Sequence, residues 1–354
     1  MPFDIHPEIS KASTLPKEFY LDPKYFKSCL DNIFPESWQL VADKKNLQSN
    51  NIYPINFISN LLDESLVLIN HNNEIKCFSN VCTHRANLIT EKPCSGNKLR
   101  CMYHGRTFNL DGSYVSMPGF EETENFPTEK DNLQSVPVKN WKNFILVSLQ
   151  GGIDIMPALN DVEKRLPNYP FEDLIYNEQI SKSWEIDAHW ALYCENYLEG
   201  FHVPFVHKGL AKELDVGTYK TFILENAVLQ VAEGEESFEI FQNPDNQEQR
   251  LYGLYYWIFP NLMLNFYSWG LSINIIEPIS PRKTRIKFLS YPIKNNHQPI
   301  SGDATLSRVE MEDQKVVLGV QKGIKSRFYS SGRYSPKHEK GIHHFHLLLD
   351  NYLT

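Results

Sequence analysis

Two pairs of cysteine and histidine residues are the clearest chemical feature of this sequence. Cys82 and His84 form a C-x-H pair, and after a gap of sixteen residues Cys101 and His104 form a C-x2-H pair. Two thiolates and two neutral imidazoles can hold a [2Fe–2S] cluster, with the cysteines on one iron and the histidines on the other. The spacing therefore predicts an electron-transfer centre whose potential lies above that of an all-cysteine cluster.

Structural zinc is the alternative occupant of the same four residues. The C-x-H spacing is tighter than that of most zinc fingers, and the intervening loop fits a cluster better, so the cluster is favoured. Among the six cysteines, we expect Cys29, Cys77 and Cys194 to be small apolar core residues. The role of Cys94, which lies between the two ligand pairs, stays open.

A second pair of histidines lies about a hundred residues further along the chain. His202 and His207 are five residues apart, a spacing that does not place two side chains on one face of a regular helix. Pro204 removes a helical hydrogen bond between them, and a widened turn of π type would bring the imidazoles together. Two histidines and one carboxylate with open positions form the facial triad of non-haem Fe(II) oxygenases. The candidate carboxylates are Glu312 and Asp313.

The elements that must position these residues divide the chain into three predicted regions. Residues 1–37 predict a helical arm. Residues 38–150 predict a small all-β domain with the ligand pairs at loop tips, and residues 151–354 predict an α+β domain with helices packed over an antiparallel sheet. In that last domain we expect helices over 154–166, 189–207, 303–325 and 337–352, and strands over 219–231, 238–242, 251–260, 262–269, 271–278 and 285–293.

Composition excludes several classes of function. The chain has 354 residues and a formal net charge of −8, and no basic stretch suggests a nucleic-acid partner. No segment approaches the ~18 consecutive apolar residues that a spanning helix needs, and the first residues do not resemble a signal peptide. We therefore expect a cytoplasmic protein without membrane association.

These motifs resemble those of the Rieske non-haem iron oxygenases, specifically the large (α) subunit. The resemblance covers most of the chain from Trp38 onward. It implies an α+β protein with an N-terminal all-β Rieske [2Fe–2S] domain and a helix-grip, START-like catalytic domain. The ligands that the resemblance implies for the cluster are Cys82, His84, Cys101 and His104, and those for a mononuclear Fe(II) are His202, His207 and Asp313. It also implies that Asn196 lies near that iron and that Glu199 is the acidic bridge between centres.

The resemblance also implies partners. Family members usually assemble as head-to-tail homotrimers, in which the cluster of one subunit lies beside the mononuclear iron of its neighbour. Electrons would come from a separate flavin-type reductase or ferredoxin, since the sequence has no flavin or nicotinamide fingerprint. The remaining partners that the resemblance implies are dioxygen and a small-molecule substrate.

Three positions depart from the commonest family pattern. Glu199 stands where most members have Asp, Ala86 replaces a frequent Gly, and Arg106 replaces a frequent Trp. The glutamate, the segment 196–205 and the C-terminal segment 331–346 resemble the choline, carnitine and glycine betaine monooxygenase branch. That branch implies monooxygenation of a quaternary ammonium compound or methylated amine. Dihydroxylation of an aromatic ring or demethylation is the enzyme alternative, and a Rieske-type electron carrier is the alternative from another class.

Two further groups of residues have structural and functional interpretations. Aromatic side chains on the predicted strands could fill the core and cavity wall or form a cage for a cation; they are Tyr255, Trp257, Phe259, Phe266 and Trp269. The histidines near the C-terminus could form a third metal site, but structural hydrogen bonds are favoured; they are His343, His344 and His346.

Overall fold

The chain forms two compact units in a computed structural model. The structure describes residues 3–59, 61–207, 219–233, 241, 251–294 and 303–353, the side chains of 303–307 excepted. One unit comprises residues 35–152. The other joins the residues up to Phe34 to those from Ile153 onward. Most of the predicted N-terminal arm thus belongs to the second unit, while the three-domain division at residues 37/38 and 150/151 stays a prediction.

Ten described strands build the unit of residues 35–152. They are β1 Gln39–Asp43, β2 Ile52–Phe57, β3 Glu64–His71, β4 Glu74–Ser79, β5 Lys98–Arg100, β6 Thr107–Asn109, β7 Tyr114–Ser116, β8 Ser135–Val136, β9 Val138–Trp141 and β10 Phe144–Val147. They form three antiparallel sheets with the orders β1-β10-β9, β2-β3-β4-β8 and β5-β6-β7. This confirms the all-β prediction.

Tight turns bring the two predicted ligand loops into this small fold. Asn72 and Asn73 join β3 to β4 with φ values of 54° and 64°, as a two-residue hairpin of the primed type requires. Gly112 follows β6 with φ of +84°, and a Cβ there would lie 2.6 Å from the ring of Phe78. The first ligand loop follows β4, and the second joins β5 to β6.

One apolar core supports both ligand loops. Its members are buried side chains from the strands and loops of this unit: Ile52, Val67, Ile69, Phe78, Cys82, Ile89, Leu99, Cys101, Phe108, Leu110 and Leu133. Because the two cysteines belong to the same core, their thiols are held by packing before any ligand binds.

The second unit combines seven described helices with a seven-stranded sheet. The helices are α1 Lys17–Leu21, α2 Pro23–Asn32, α3 Met156–Arg165, α4 Trp190–Tyr197, α5 Val203–Val206, α6 Asp303–Gly323 and α7 Lys340–Tyr352. The strands are β11 Lys182–Ile186, β12 Lys220–Leu224, β13 Ala227–Glu233, β14 Leu251–Ile258, β15 Leu262–Tyr267, β16 Gly270–Ser280 and β17 Lys283–Pro292. Neighbours in the order β11-β17-β16-β15-β14-β13-β12 are all antiparallel.

Helices pack on this sheet as the α+β prediction required. Helix α4 contacts β16, α6 and α7, and α7 also contacts β12. Trp190 of α4, Trp257 of β14 and Phe345 of α7 are buried together, with ring centroids 5.0–5.8 Å apart in their contacts with Phe345. None of the described helices is both long and apolar enough to cross a membrane.

Most element predictions agree with the structure, and two are wrong. The strand predicted over 219–231 is a hairpin, β12 and β13, because the chain turns at Glu225 and Asn226. The helix predicted over 189–207 ends at Tyr197 and restarts only at Val203. The strand predicted over 238–242 lies outside the described residues, Phe241 excepted.

Candidate metal centres

The two ligand loops of the β unit fold in the same way. The N–H of Cys82 donates to the carbonyl five positions on at 2.9 Å, and its carbonyl accepts from the N–H four positions on at 3.0 Å. Cys101 makes the same two bonds at 2.8 and 3.0 Å. The residues four positions on, Ala86 and Gly105, both have positive φ, 55° and 77°. Ala86 therefore adopts a conformation that favours glycine.

The predicted cluster ligands converge at the tips of these loops. Cys82 and Cys101 are buried, and burial and then the neighbouring Cys101 thiol raise the pKa of the Cys82 thiol. His84 is half-buried and His104 exposed, with ring centroids 4.8 Å apart. The amide of Asn87 donates to Cys101 Sγ at 3.7 Å, a contact that stabilises a thiolate. Buried thiols, outward imidazoles and a donor to sulfur fit a [2Fe–2S] cluster with two cysteine and two histidine ligands.

The second centre is built on a helix interruption rather than on a π-type turn. Helix α4 ends at Tyr197, and the one-turn helix α5 has His202 as its N-cap and His207 as its C-cap. Pro204 lies in the first turn of α5, where its missing N–H has no helical acceptor to serve. The predicted π turn is therefore wrong, although Pro204 does mark the break. The interruption places the two histidines at opposite ends of one short turn.

Helix α6 brings a carboxylate to both histidines. One ligand atom each of His202, His207 and Asp313 lie within 4.8 Å of one another. Asp313 Oδ1 is 3.4 Å from His202 Nε2 and 2.9 Å from His207 Nε2. The imidazole rings are 5.1 Å apart and inclined at 76°. Two histidines and one carboxylate, with no fourth His, Cys, Asp or Glu in the group among the described residues, have the composition of a facial triad for Fe(II).

A carboxylate also contacts the outer nitrogen of each histidine. Glu199 Oε1 lies 2.6 Å from His202 Nδ1, and Glu312 Oε2 lies 2.8 Å from His207 Nδ1. An Nδ1–H that donates to a carboxylate leaves the Nε2 lone pair for a metal and fixes the ring orientation. Glu312 thus occupies the outer position on His207, whereas Asp313 faces the Nε2 atoms of both rings.

The electrostatics of the triad follow from this arrangement. Burial alone would lower the pKa of His202, but its hydrogen bonds with Asp313 and Glu199 outweigh burial and raise that pKa to about 9. Burial would raise the pKa of Asp313, yet its bonds with His202 and His207 keep that pKa below its usual value. The site therefore holds a concentrated negative charge that favours a cation.

Two further polar side chains, Asn196 and Glu310, lie on α4 and α6. Asn196 is half-buried in the last turn of α4, and its predicted position near the iron stays a prediction. Glu310, one turn before Asp313 on α6, accepts a hydrogen bond from the Tyr193 hydroxyl. Burial, and then the charge of Asp313, raise the pKa of Glu310 to about 8. Glu310 was not predicted from the sequence, where its position one helical turn before the candidate ligands was the only signal.

A group of tyrosines lies on the face of the sheet that carries Asn265. Tyr255 is directly opposite Asn265 across β14 and β15, and the hydroxyl of Tyr197 donates to the Asn265 side chain at 2.7 Å. The rings of Tyr255 and Tyr267 are 5.7 Å apart, and Trp269 stacks on Tyr267 at 5.2 Å. We call Tyr197, Tyr255, Tyr267 and Trp269 the tyrosine cluster.

The other predicted aromatic residues belong to the core. Trp257 and Phe259 pack on Phe345 of α7. Phe266 points to the face of the sheet opposite to that of Asn265. Its ring centroid lies 5.3 Å from that of Tyr169. Of the predicted cage residues, Tyr255 and Trp269 therefore remain candidates.

The three C-terminal histidines have separate hydrogen-bond partners. His343 contacts the carbonyl of residue 6 at 2.9 Å, and His344 contacts the carbonyl of residue 225 at 3.2 Å. His346 lies between the Tyr334 hydroxyl at 2.6 Å and Glu195 at 3.1 Å. Within the described residues, these histidines do not converge on one point, which agrees with structural roles.

Comparisons with known proteins agree with both centres. The protein-family model of the Rieske [2Fe-2S] domain matches residues 37–127. The family model of the ring hydroxylating alpha subunit (catalytic domain) matches residues 172–354. The chain is 30% identical to the chloroplastic choline monooxygenase of Arabidopsis thaliana over 99% of this chain and 85% of that protein. It is 27% identical to the carnitine monooxygenase oxygenase subunit of Escherichia coli (strain K12), over 96% and 93%.

Solved structures share the fold. The quaternary ammonium Rieske monooxygenase CntA in complex with L-carnitine superposes with a TM-score of 0.78 at 23% identity, covering 100% of this chain and 99% of that one. Naphthalene 1,2-dioxygenase from Rhodococcus sp. bound to indole superposes with a TM-score of 0.75 at 16% identity, over 96% and 93%.

An electron-transfer domain followed by a catalytic domain of this type defines an oxygenase. The chain belongs to the family of Rieske ring-hydroxylating oxygenase α subunits. Its cofactors are a Rieske [2Fe–2S] cluster and a mononuclear iron. It is therefore an enzyme, and the alternative of an electron carrier is wrong, because a carrier would need the first domain alone.

Proposed function

We propose that this chain hydroxylates a small quaternary ammonium compound or methylated amine with dioxygen and externally supplied electrons. The observation that carries the oxygenase chemistry is the shared orientation of His202 and His207. Each imidazole has a carboxylate on Nδ1 and presents Nε2 toward Asp313. When bound, the cluster supplies electrons and the mononuclear iron activates dioxygen.

In this proposal each set of residues has a distinct task. The cluster is held by Cys82, His84, Cys101 and His104. Mononuclear iron is held by His202, His207 and Asp313, since Asp313 faces both Nε2 atoms while Glu312 contacts only an outer nitrogen. Glu199 fixes the tautomer of His202 by accepting its Nδ1–H. Asn196 lines the approach to the iron.

Electron supply requires partners. We propose a separate flavin-type reductase or ferredoxin as the donor, and a homotrimer in which His104 of one subunit lies near Glu199 of its neighbour. The exposed position of His104 supports this, because its imidazole is available to a second chain. A quaternary ammonium Rieske monooxygenase of the same fold, 23% identical to this chain, is described with inter-subunit electron transfer. The free cysteines, including the exposed Cys94, agree with the proposed cytoplasmic location.

The substrate class rests on the tyrosine cluster and on the relatives. A quaternary ammonium ion has no N–H to donate, so aromatic faces and carboxylates must hold it. The tyrosine cluster offers the faces, and Glu310, close to Asp313, offers a carboxyl group whose ionised form a bound cation would favour over the protonated form. Cation–π contacts of this kind contribute about 0.5–2 kcal/mol each. The choline monooxygenase and carnitine monooxygenase relatives support the same class.

A substrate comparison tests this proposal. Purified chain with a compatible reductase is supplied with choline, glycine betaine, carnitine and their neutral carbon isosteres, and O₂ uptake is measured with product mass. We expect coupled turnover of at least one ammonium compound and of none of the isosteres. Turnover of aromatic acids with every methylated ammonium inert would favour ring dihydroxylation or demethylation and would leave the family assignment intact.

Iron analysis of three matched variants tests the ligands. Asp313→Asn should lose mononuclear iron and turnover while the cluster spectrum persists. Glu312→Gln should keep most of that iron, because an amide oxygen still accepts from Nδ1–H of His207. Glu199→Gln should keep both centres and slow electron transfer between them in single-turnover kinetics. Loss of iron in Glu312→Gln with retention in Asp313→Asn would reverse the ligand assignment.

A further inference from the structure

Arg106 is a buried cation beside the two ligand loops. Its side chain is 2% exposed, and its guanidinium donates to Thr83 Oγ1 at 2.7 Å and to Asp131 Oδ1 at 2.8 Å. Thr83 lies between Cys82 and His84 in the first ligand loop, while Arg106 itself belongs to the second. The side chain therefore links the two loops directly.

The surroundings hold this charge in place. Asp131 has its other oxygen on the N–H of Thr128 at 2.8 Å, and its carbonyl accepts from Thr83 Oγ1 at 2.8 Å. The guanidinium carbon lies 5.2–5.9 Å from three ring centroids, those of Tyr114, Phe120 and Phe126. Aromatic faces and a single carboxylate thus surround a cation that contacts little water.

The charge acts on the cluster ligands. Arg106 interacts electrostatically with both Cys82 and His84, and its own carbonyl accepts the N–H of Cys101 at 2.8 Å. Its Nε–H is buried without a hydrogen-bond partner among the described residues. One N–H donor of the guanidinium is therefore not satisfied by an acceptor of those residues. A positive charge at low dielectric favours the reduced, more negative form of a nearby redox group.

We propose that Arg106 is a positioning residue that ties the two ligand loops together and raises the reduction potential of the cluster. Its partner Asp131 partly offsets the charge and sets the size of the effect. The proposal rests on the cluster ligands proposed above and goes beyond them, since a neutral tryptophan is frequent at this position in the family pattern. It is independent of the substrate.

Opposed charge changes test the proposal by redox titration of the cluster signal in the intact protein. Arg106→Gln should make reduction of the cluster about tenfold less favourable. For a one-electron couple this lowers the midpoint potential by ~59 mV. Asp131→Asn should raise it, and the double variant should lie between the two. Arg106→Lys, which keeps the charge, should stay close to wild type. The matched control is Arg165→Gln.

Arg165 suits the control because it also pairs with an aspartate, Asp161 at 2.8 Å, and lies 4.8 Å from the ring of Phe222, but belongs to the other unit. Its variant should leave the potential unchanged. Shifts of opposite sign in Arg106→Gln and Asp131→Asn support the proposal. Shifts of the same sign, or unchanged potentials with full cluster content, would overturn it. If Arg106→Gln fails to assemble a cluster, a wild-type potential in Asp131→Asn overturns the proposal. A wild-type protein without a Rieske signal refutes the ligand proposal instead.

Discussion

Gly341 determines how closely helix α7 approaches the end of helix α4. A Cβ built on Gly341 would lie 2.4 Å from the carbonyl oxygen of Leu198 and 3.3 Å from Val228. Leu198 directly precedes Glu199, whose carboxylate contacts His202 at 2.6 Å. Replacing Gly341 with alanine should therefore disturb both the packing of the helix and the position of the carboxylate.

The expected size follows from two opposed terms. Alanine gains about 1 kcal/mol over glycine in a helix interior, and only part of this gain applies at Gly341, which is the second residue of α7. A methyl group 2.4 Å from a backbone oxygen must displace the backbone of one of the two segments, and overpacking of this kind costs about 1–3 kcal/mol. We expect Gly341→Ala to lower the free energy of unfolding by up to about 2 kcal/mol. A Cβ added at Gly319 on α6 would have no neighbouring atom within 4 Å. Gly319→Ala should therefore show only the gain of alanine over glycine in a helix.

The assay is equilibrium unfolding in urea, followed by iron analysis and turnover. Gly319→Ala should be more stable than wild type by about 1 kcal/mol and fully active. Gly341→Ala should unfold at lower urea and turn over more slowly, because Glu199 is displaced from His202. If both alanine variants stabilise the protein equally, the close approach of α7 to Leu198 does not exist and the reasoning fails.

Three further perturbations have defined outcomes. Ala86→Gly should stabilise the β unit by about 0.5–1 kcal/mol in thermal or urea unfolding, because φ is 55° there; Ala42→Gly in strand β1 is the control and should destabilise it. His346→Ala should destabilise by about 1–3 kcal/mol, since Tyr334 and Glu195 lose a buried partner, yet iron per chain should equal that of His344→Ala and wild type; a loss of iron would indicate a third metal site. Glu310 has its pKa raised from 4.5 to about 8 by burial and by Asp313. The folded state therefore binds its proton more tightly than the unfolded state, and this group's contribution to stability is present below pH 4.5 and lost as pH rises to about 8. In iron-chelated protein, Glu310→Gln should gain a few kcal/mol over wild type at pH 8 and little at pH 5; a difference that does not change with pH would contradict the raised pKa.

The sequence by itself was enough for what depends on short spacing and local periodicity. C-x-H and C-x2-H motifs can be recognised wherever they occur, because ligand geometry in each loop is set by neighbouring residues. Helices α6 and α7 and strands β14 to β17 agree with the predicted segments for the same reason: hydrophobic periodicity is a local property. The turn at Asn72 and Asn73 also follows from residue type alone.

Contacts between distant segments were decided only by the tertiary structure. Glu312 and Asp313 are equivalent candidates in the sequence, and only the orientation of α6 against α5 places Asp313 on both Nε2 atoms. The break between α4 and α5 differs from the predicted π turn, because Pro204 indicates an interruption but not its geometry.

Burial and pairing across long separations explain the rest. By residue type alone, Arg106 is an ordinary charged residue. The fold places Asp131, twenty-five positions away, against the Arg106 guanidinium and surrounds that guanidinium with aromatic rings. Tyr255 and Phe266 are alike in composition, yet strand register directs one toward Asn265 and Tyr197 and the other into the core. Desolvation and electrostatic coupling depend on the three-dimensional neighbourhood, and no local pattern encodes that neighbourhood.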